Sequence, residues 1–243
     1  MAFNIVAAMT DGFDRTRERN GLLLVVLFAV LAIGNALTTP TNLGPTAGTD
    51  ATIGAVDLLT GLLSFAFALA TLVAVIAALR TFVSDETETI PREFVRRNIG
   101  VVALNMIVGG IVFALLVGIG SVFLLVPGLF LLVSLYYWSV FVTVEEQNVI
   151  QAFRSSWLLT RGSRLRLFGL GVAVFAIAVV FNALVGLPAV LLGGLLGVVL
   201  TQVAGAVVLV FTIATTARAY DQLRHIDEPV EPDRQPEFAG SPA

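Results

Sequence analysis

The sequence contains no cysteine, no lysine and only one histidine, His225. The absence of cysteine excludes disulfides, thiolate catalysis, iron–sulfur clusters and cysteine-based zinc sites. His225 follows the last long apolar run and lies in a polar segment, where we expect it to be solvated rather than bound to a metal. We therefore predict that the chain holds no metal ion and no cofactor.

Charged residues are also scarce, at 13% of the 243 residues, whereas a soluble domain has about 25%. Hydrophobic residues make up 57% of the chain, so there is too little polar surface to cover a water-soluble globule. The formal net charge of −3 gives no reason to expect nucleic-acid binding. The composition therefore predicts an integral membrane protein.

The apolar residues form six long blocks of the kind that cross a bilayer as helices. These blocks lie at 21–37, 52–79, 99–126, 129–144, 167–187 and 189–217. Pro127 and Pro188 mark the breaks within the two closest pairs, because proline interrupts a helix. We predict an all-α transmembrane bundle of about six spans, with an amphipathic surface segment at 1–20, a membrane domain at 21–217 and a disordered tail at 218–243.

The distribution of arginine predicts the orientation of the spans. All fourteen basic residues are arginine; they precede block one, follow block six, and lie between blocks two and three and between blocks four and five. The other three connections contain none. Because basic residues mark cytoplasmic loops, six spans in the cell membrane with both termini in the cytoplasm account for every arginine. The alternative is a cleaved signal peptide at 1–36, which the long polar start disfavours.

The segment 145–168 carries the most informative pattern. Val149, Phe153 and Trp157 recur four residues apart, so that one face of a predicted helix is apolar and aromatic. The candidate lipid-headgroup residues in this interfacial helix are Phe153, Arg154, Trp157, Arg161, Arg164 and Arg166. Each arginine beside an anionic leaflet adds about 1 kcal/mol of attraction to it. The alternative interpretation is that these arginines only fix the topology.

A stripe of small residues follows Pro188. Its members, four residues apart, are Ala189, Gly193, Gly197, Thr201 and Gly205. Small residues at this spacing allow two helices to approach closely in a membrane. We predict that the stripe is a helix-packing surface, used either within the chain or between two copies of it.

Each pair of spans also begins in a similar way. Aromatic residues and arginines lead through a glycine into the apolar block at 13–21, 94–100 and 153–169. This pattern fits a threefold repeat of a surface helix followed by a helical hairpin. It equally fits three unrelated hairpins that enter the membrane from the cytoplasm, and the sequence leaves both readings open.

Catalytic signatures such as HExxH, GxSxG and glycine-rich nucleotide loops do not occur in the sequence. We therefore predict a non-enzymatic membrane protein that acts as a lipid-interacting scaffold or accessory module. Its expected partners are membrane lipids and either a membrane protein or a second copy of the chain. The alternative is a transporter or channel for a small solute, for which Asp57 and Asn105 are the candidate polar residues.

Residues 126–170 resemble a known family. A Pro-Gly-Leu-Phe-Leu break at 127–131 precedes the aromatic run YYWSVFV at 136–142, and AFRSSWLLTRG and RLRLFG follow at 152–162 and 164–169. This order resembles the membrane domain attached to some glycerophosphoryl diester phosphodiesterases, and related six-helix prokaryotic membrane proteins. The resemblance implies a stand-alone membrane module without the phosphodiesterase activity, which in that family belongs to a separate soluble domain.

Overall fold

The computed structural model describes residues 3–38, 55–84, 92–123 and 125–227. Over this part of the chain the secondary structure is helical, which confirms the predicted all-α class. The helices are α1 (Ile5–Arg17), α2 (Arg19–Thr38), α3 (Ala55–Val83), α4 (Arg92–Arg96), α5 (Ile99–Phe123), α6 (Leu125–Leu135), α7 (Trp138–Val144), α8 (Val149–Leu159), α9 (Arg164–Leu192) and α10 (Gly194–Asp227).

Six segments among the described residues are long and apolar enough to cross a membrane, as the sequence predicts. They are Arg19–Thr38, Val56–Val83, Ile99–Val122, Leu125–Val144, Arg164–Leu192 and Gly194–Ile226. The fourth segment consists of α6 and α7, which are separated by a turn at Tyr136 and Tyr137. The spans therefore form three hairpins in chain order: α2 with α3, α5 with α6 and α7, and α9 with α10.

A short helix precedes each hairpin, and each short helix packs on the last helix of another hairpin. Helix α4 packs on α3, α8 packs on α7, and α1 packs on α10. The first two contacts join neighbours in the sequence, but the third joins the two ends of the described chain. The backbone N–H of Asn4 donates a hydrogen bond to Oε1 of Gln222 (3.2 Å) within this third contact. The same packing arrangement thus occurs three times, and α1 completes it.

The packed core lies toward one end of the bundle. Buried side chains are concentrated in the last turns of α3, in α7 and in the second half of α10, as Ile76, Val142 and Tyr220 illustrate. We call this the arginine-rich end, because the arginines described above flank it. Toward the other end, large apolar side chains such as Leu62 and Leu191 are exposed, as expected for helices that face lipid.

The prediction that the fifth block ends at Pro188 is wrong. Helix α9 continues through Pro188 to Leu192. Proline in a helix removes only one donor and one acceptor from the hydrogen-bond ladder, and membrane helices often tolerate this loss. The helix ends instead at Gly193 and Gly194, whose φ angles of 60° and 53° lie in the left-handed region that glycine adopts without strain.

This boundary changes the placement of the small-residue stripe. Ala189 belongs to α9 and Gly193 to the connection, so that only Gly197, Thr201 and Gly205 lie on α10. A Cβ atom on Gly197 would overlap the carbonyl oxygen of Ala189, whereas one on Gly205 would meet open space. The close approach is therefore confined to the turn of the α9–α10 hairpin.

The predicted start of the tail at Arg218 also needs correction, because α10 continues to Asp227. Tyr220 and Leu223 are buried in the core. Helix α1 packs on α10, and the ring of Phe141 in α7 contacts that of Tyr220, which supplies apolar contacts that keep this part helical. The predicted disorder of residues 228–243 lies outside the described residues.

Candidate functional site

Helix α8, from the segment that the sequence singled out, is fixed against the break between α6 and α7. Ala152 and Ser156 form its buried face. The Ser156 hydroxyl accepts a hydrogen bond from the N–H of Tyr137 (3.1 Å) and donates one to the carbonyl of Ser134 (3.1 Å). The hydroxyl of Thr160 donates to the same carbonyl (3.2 Å). These hydroxyls satisfy backbone groups that the break frees, so α8 is locked in position.

The first residue of α9, Arg164, lies between two aromatic rings. Its Cζ atom is 4.7 Å from the ring centroid of Phe130 and 4.3 Å from that of Trp157. Nη2 donates a hydrogen bond to the carbonyl of Trp157 (3.3 Å). Such stacking favours a cation and holds a guanidinium plane in one orientation. The site thus fixes a positive charge at the junction of α6, α8 and α9.

The charge on Arg164 has no carboxylate partner among the described residues. Its Nε atom is buried and has no hydrogen-bond acceptor in that part of the chain. Arg154, Arg161 and Arg166 are exposed, and none of the three forms an ion pair with a described residue. The segment therefore presents four positive charges with an unmet capacity to bind an anion.

The predicted lipid-headgroup residues are thus only partly brought together. Trp157 and Arg164 form one cluster, to which the structure adds Phe130 of α6. Phe153, in contrast, is half-buried against Trp138, with the two ring centroids 5.7 Å apart. The sequence could not reveal the role of Phe130, because its ring reaches Trp157 only after α8 folds back along α6.

Two acidic residues that the sequence analysis did not select explain why the arginines remain unpaired. Glu146 accepts a hydrogen bond from Nδ2 of Asn98 (2.6 Å) and forms an ion pair with Nε of Arg97 (2.9 Å). It also lies 3.6 Å from Nη2 of Arg80, which is buried. Asn98 and Glu146 both have positive φ angles, 48° and 54°, which are uncommon outside glycine. The Asn98–Glu146 hydrogen bond holds these two strained residues together.

Glu145 points the other way, toward α10. It accepts hydrogen bonds from the hydroxyl of Tyr220 (2.7 Å) and from Nε2 of Gln147 (2.8 Å). Its distance to Nη1 of Arg224 is 3.5 Å. Both carboxylates of the segment are therefore engaged with other helices, so neither neutralises the arginines of α8 and α9.

The candidate transport residues are not brought together. Asp57 lies in the first turn of α3, whereas Arg80 at the far end of the same helix is part of the arginine-rich end. Asn105 lies near the start of α5, which begins at that arginine-rich end. Within the described ranges, moreover, no cluster of three histidine or acidic side chains could bind a metal ion.

Three helical hairpins with six apolar spans, packed at one charged end, define a multi-pass α-helical membrane protein. The chain belongs to the family described as domain of unknown function DUF7847, whose model matches residues 3–223. No curated protein and no solved structure matches the chain. The matched family has no stated link to glycerophosphoryl diester phosphodiesterases, so that resemblance stays a prediction.

Proposed function

We propose that this protein is a non-enzymatic membrane scaffold that binds anionic phospholipid at its arginine-rich end. The observation that carries the proposal is the guanidinium of Arg164, which Phe130 and Trp157 hold in place and which no described carboxylate neutralises. A counter-anion stabilises a half-buried cation, and the phosphate group of a lipid is the anion that a membrane surface supplies.

The geometry of the site suits the phosphate group of a lipid. A guanidinium presents several N–H donors in a planar fork and binds phosphate oxygens through paired hydrogen bonds. Stacking on two rings restricts the plane of Arg164, which lowers the entropy lost on binding. Trp157 is 37% exposed, which suits a tryptophan at the headgroup level of a bilayer.

The proposal includes an orientation. The arginine-rich end faces the cytoplasm of a cell membrane, because basic residues are retained on that side and its leaflet carries anionic lipid. The exposed residues Arg154, Arg161 and Arg166 then attract the leaflet, at about 1 kcal/mol each. Arg164 differs from them, since its fixed position gives a defined binding site rather than a diffuse attraction.

Native mass spectrometry of the protein released from lipid nanodiscs tests the proposal. The discs contain equal amounts of phosphatidylglycerol and phosphatidylcholine, and the ratio of the two retained lipids is measured. The triple variant R161Q/R164Q/R166Q is expected to lower the preference for the anionic lipid by about tenfold, or 1.4 kcal/mol, because it removes the fixed cation and two neighbours.

The matched control is R15Q/R17Q/R19Q, which removes the same charge from α1 and the start of α2. We expect this control to lose less of the preference than R161Q/R164Q/R166Q, because it removes arginines at the same end but leaves the fixed cation in place. An equal loss in both triple variants would show that only net charge matters, and an unchanged preference in both would remove the lipid site from the account.

A further inference from the structure

A cavity of about 560 Å³ lies between α6, α9 and α10. Its volume falls within the range of about 300–1,000 Å³ that is usual for ligand sites. Most of its wall is apolar, and Leu132, Val133, Phe168, Val174 and Phe175 contribute to it. The cavity is therefore suited to an apolar ligand rather than to a polar solute.

Three polar side chains of the wall, those of Tyr136, Thr212 and Thr216, are already engaged in hydrogen bonds, whereas the buried hydroxyl of Thr215 has no partner among the described residues. The hydroxyl of Tyr136 lies 3.1 Å from that of Thr216, which in turn donates a hydrogen bond to the carbonyl of Thr212 (2.8 Å). Because Thr216 uses its proton in the second bond, Tyr136 is the donor in the first. An apolar chain could therefore occupy the cavity without breaking any hydrogen bond of these three residues.

The wall of the cavity on α9 begins at Leu167, three residues after Arg164. Leu167, Phe168 and Gly171 line it and follow Arg164 by three, four and seven residues, the spacing of one helical face. On the facing helix, the wall residue Leu129 is adjacent to Phe130, which stacks on Arg164. The fixed cation and the apolar cavity are therefore neighbours in one site.

The length of the cavity fits one leaflet. On α9 its wall extends from Leu167 to Ala178, which corresponds to about 16 Å at a rise of 1.5 Å per residue. The hydrocarbon core of a bilayer is about 30 Å thick, so one leaflet contributes about half of it. An acyl chain from a lipid of the near leaflet would extend along this wall.

We infer that the cavity holds one acyl chain of an anionic phospholipid whose phosphate binds Arg164. The inference rests on the proposed function for the headgroup and adds a second contact, with the chain. The protein then binds a whole lipid molecule in a defined place, and its affinity depends on chain length as well as on headgroup charge.

Filling the cavity tests this inference separately from the arginines. A Cβ atom on Gly171 would meet no other atom within 4 Å, so Gly171→Trp extends an indole ring into the space beside that residue. Gly186 lies on the same helix, is equally open and does not line the cavity, which makes Gly186→Trp the matched control. Ala178→Leu fills the far end of the cavity with a smaller group and serves as a second variant.

The measurement compares retention of dipalmitoyl and dihexanoyl phosphatidylglycerol by native mass spectrometry. We expect the original protein and Gly186→Trp to prefer the long-chain lipid, and Gly171→Trp to lose this preference by about tenfold. Ala178→Leu is expected to lose part of it. Size-exclusion profiles identify any variant that fails to fold, in which case Ala178→Leu decides the result.

Two outcomes separate the inference from the proposed function. If R161Q/R164Q/R166Q loses the preference for anionic lipid while Gly171→Trp and Ala178→Leu retain the chain-length preference, the acyl-chain site is overturned and the headgroup site stands. The reverse outcome is that the arginine variant keeps the preference for anionic lipid while the cavity variants lose the preference for long-chain lipid. The headgroup site is then wrong, and the cavity binds an acyl chain without help from the arginines. The inference of a whole lipid bound at both places is overturned as well.

Discussion

Among the described residues, Arg80 is the one charged residue that is buried, with 6% of its surface exposed. Its Nε donates to the carbonyl of Thr143 (2.7 Å), and Nη1 donates to the carbonyls of Phe94 (2.9 Å) and Arg97 (3.0 Å). The Arg80 side chain thus links the last turn of α3 to the end of α7 and to the segment around α4. Glu146 supplies the compensating charge. Because a buried ion is costly without its partner, the stability of this junction depends on Glu146.

We predict that Glu146→Gln lowers the stability of the protein by about 2 kcal/mol, which is less than a fully buried pair would lose because Glu146 is partly exposed. The physical reason is that Arg80 stays buried while its negative partner is removed. Thermal unfolding in detergent, followed by tryptophan fluorescence, measures the effect. Glu93→Gln removes an exposed carboxylate that pairs with no described residue. Equal midpoints for the two variants would contradict this role of Glu146.

The sequence could not predict these contacts, although it shows both glutamates. Asn98 and Glu146 are separated by 48 residues, and Tyr220 and Glu145 by 75. Helical periodicity gives the face of a residue but not the helix that it meets. The feature of the sequence that points to these two glutamates is their position, as consecutive acidic residues directly after a span and among arginines. The aromatic and arginine pattern of 145–168, in contrast, is local, and two of its residues, Trp157 and Arg164, lie in contact in the structure.

Among the single elements, α1 carries a packing pattern that the sequence analysis does not single out. The sequence predicts a surface helix here and a small-residue stripe only after Pro188. Ala8, Gly12 and Thr16 are buried and lie four residues apart, so α1 carries the same packing pattern. Its exposed face bears the apolar residues Val6 and Phe13, while the small face packs on α10.

We predict that Gly12→Leu detaches α1 from α10. A Cβ atom on Gly12 would lie 2.8 Å from the Cα of Thr215, and this backbone cannot move aside without shifting α10. Trypsin should then cleave after Arg15 and Arg17 in membranes where the original protein resists. Thr10→Leu, which places the same leucine side chain at an exposed position of α1, is the control.

Cleavage of Gly12→Leu at the rate of Thr10→Leu would show that the α1–α10 contact is dispensable. We expect trypsin to cut Gly12→Leu at least several times faster than Thr10→Leu, because the loss of the α1–α10 contact exposes the backbone of α1 to the protease.

For the whole molecule, the distribution of arginine and the length of the apolar blocks predict six spans. Both are visible along the sequence, because the bilayer sets the length of each span and the side on which basic residues lie. Packing between spans was not predictable in this way, since helices in lipid associate through shape and small residues rather than through hydrophobicity. The threefold order of short helix and hairpin appeared in the sequence only as phenylalanine, arginine and glycine. In the structure, the α1–α10 contact adds the packing arrangement that the other two units share.

The orientation of the whole molecule can be measured directly, since the chain has no cysteine and single-cysteine variants carry no background. We predict that a membrane-impermeant maleimide added to intact cells labels Thr46→Cys, in the connection after the first span, but not Thr10→Cys in α1. Permeabilised cells should show labelling at both positions. Labelling of Thr10→Cys in intact cells would reverse the orientation and place the arginine-rich end outside.

We propose that one anionic phospholipid occupies the site formed by Arg164 and the cavity between α6, α9 and α10. Cryo-electron microscopy of the protein in phosphatidylglycerol nanodiscs, with a bound antibody fragment to add mass, would image this lipid. We expect phosphate density within hydrogen-bonding distance of the Arg164 guanidinium and continuous chain density along Gly171 and Phe175. An empty cavity, with Arg164 paired to a carboxylate of the protein itself, would show that the proposal is wrong.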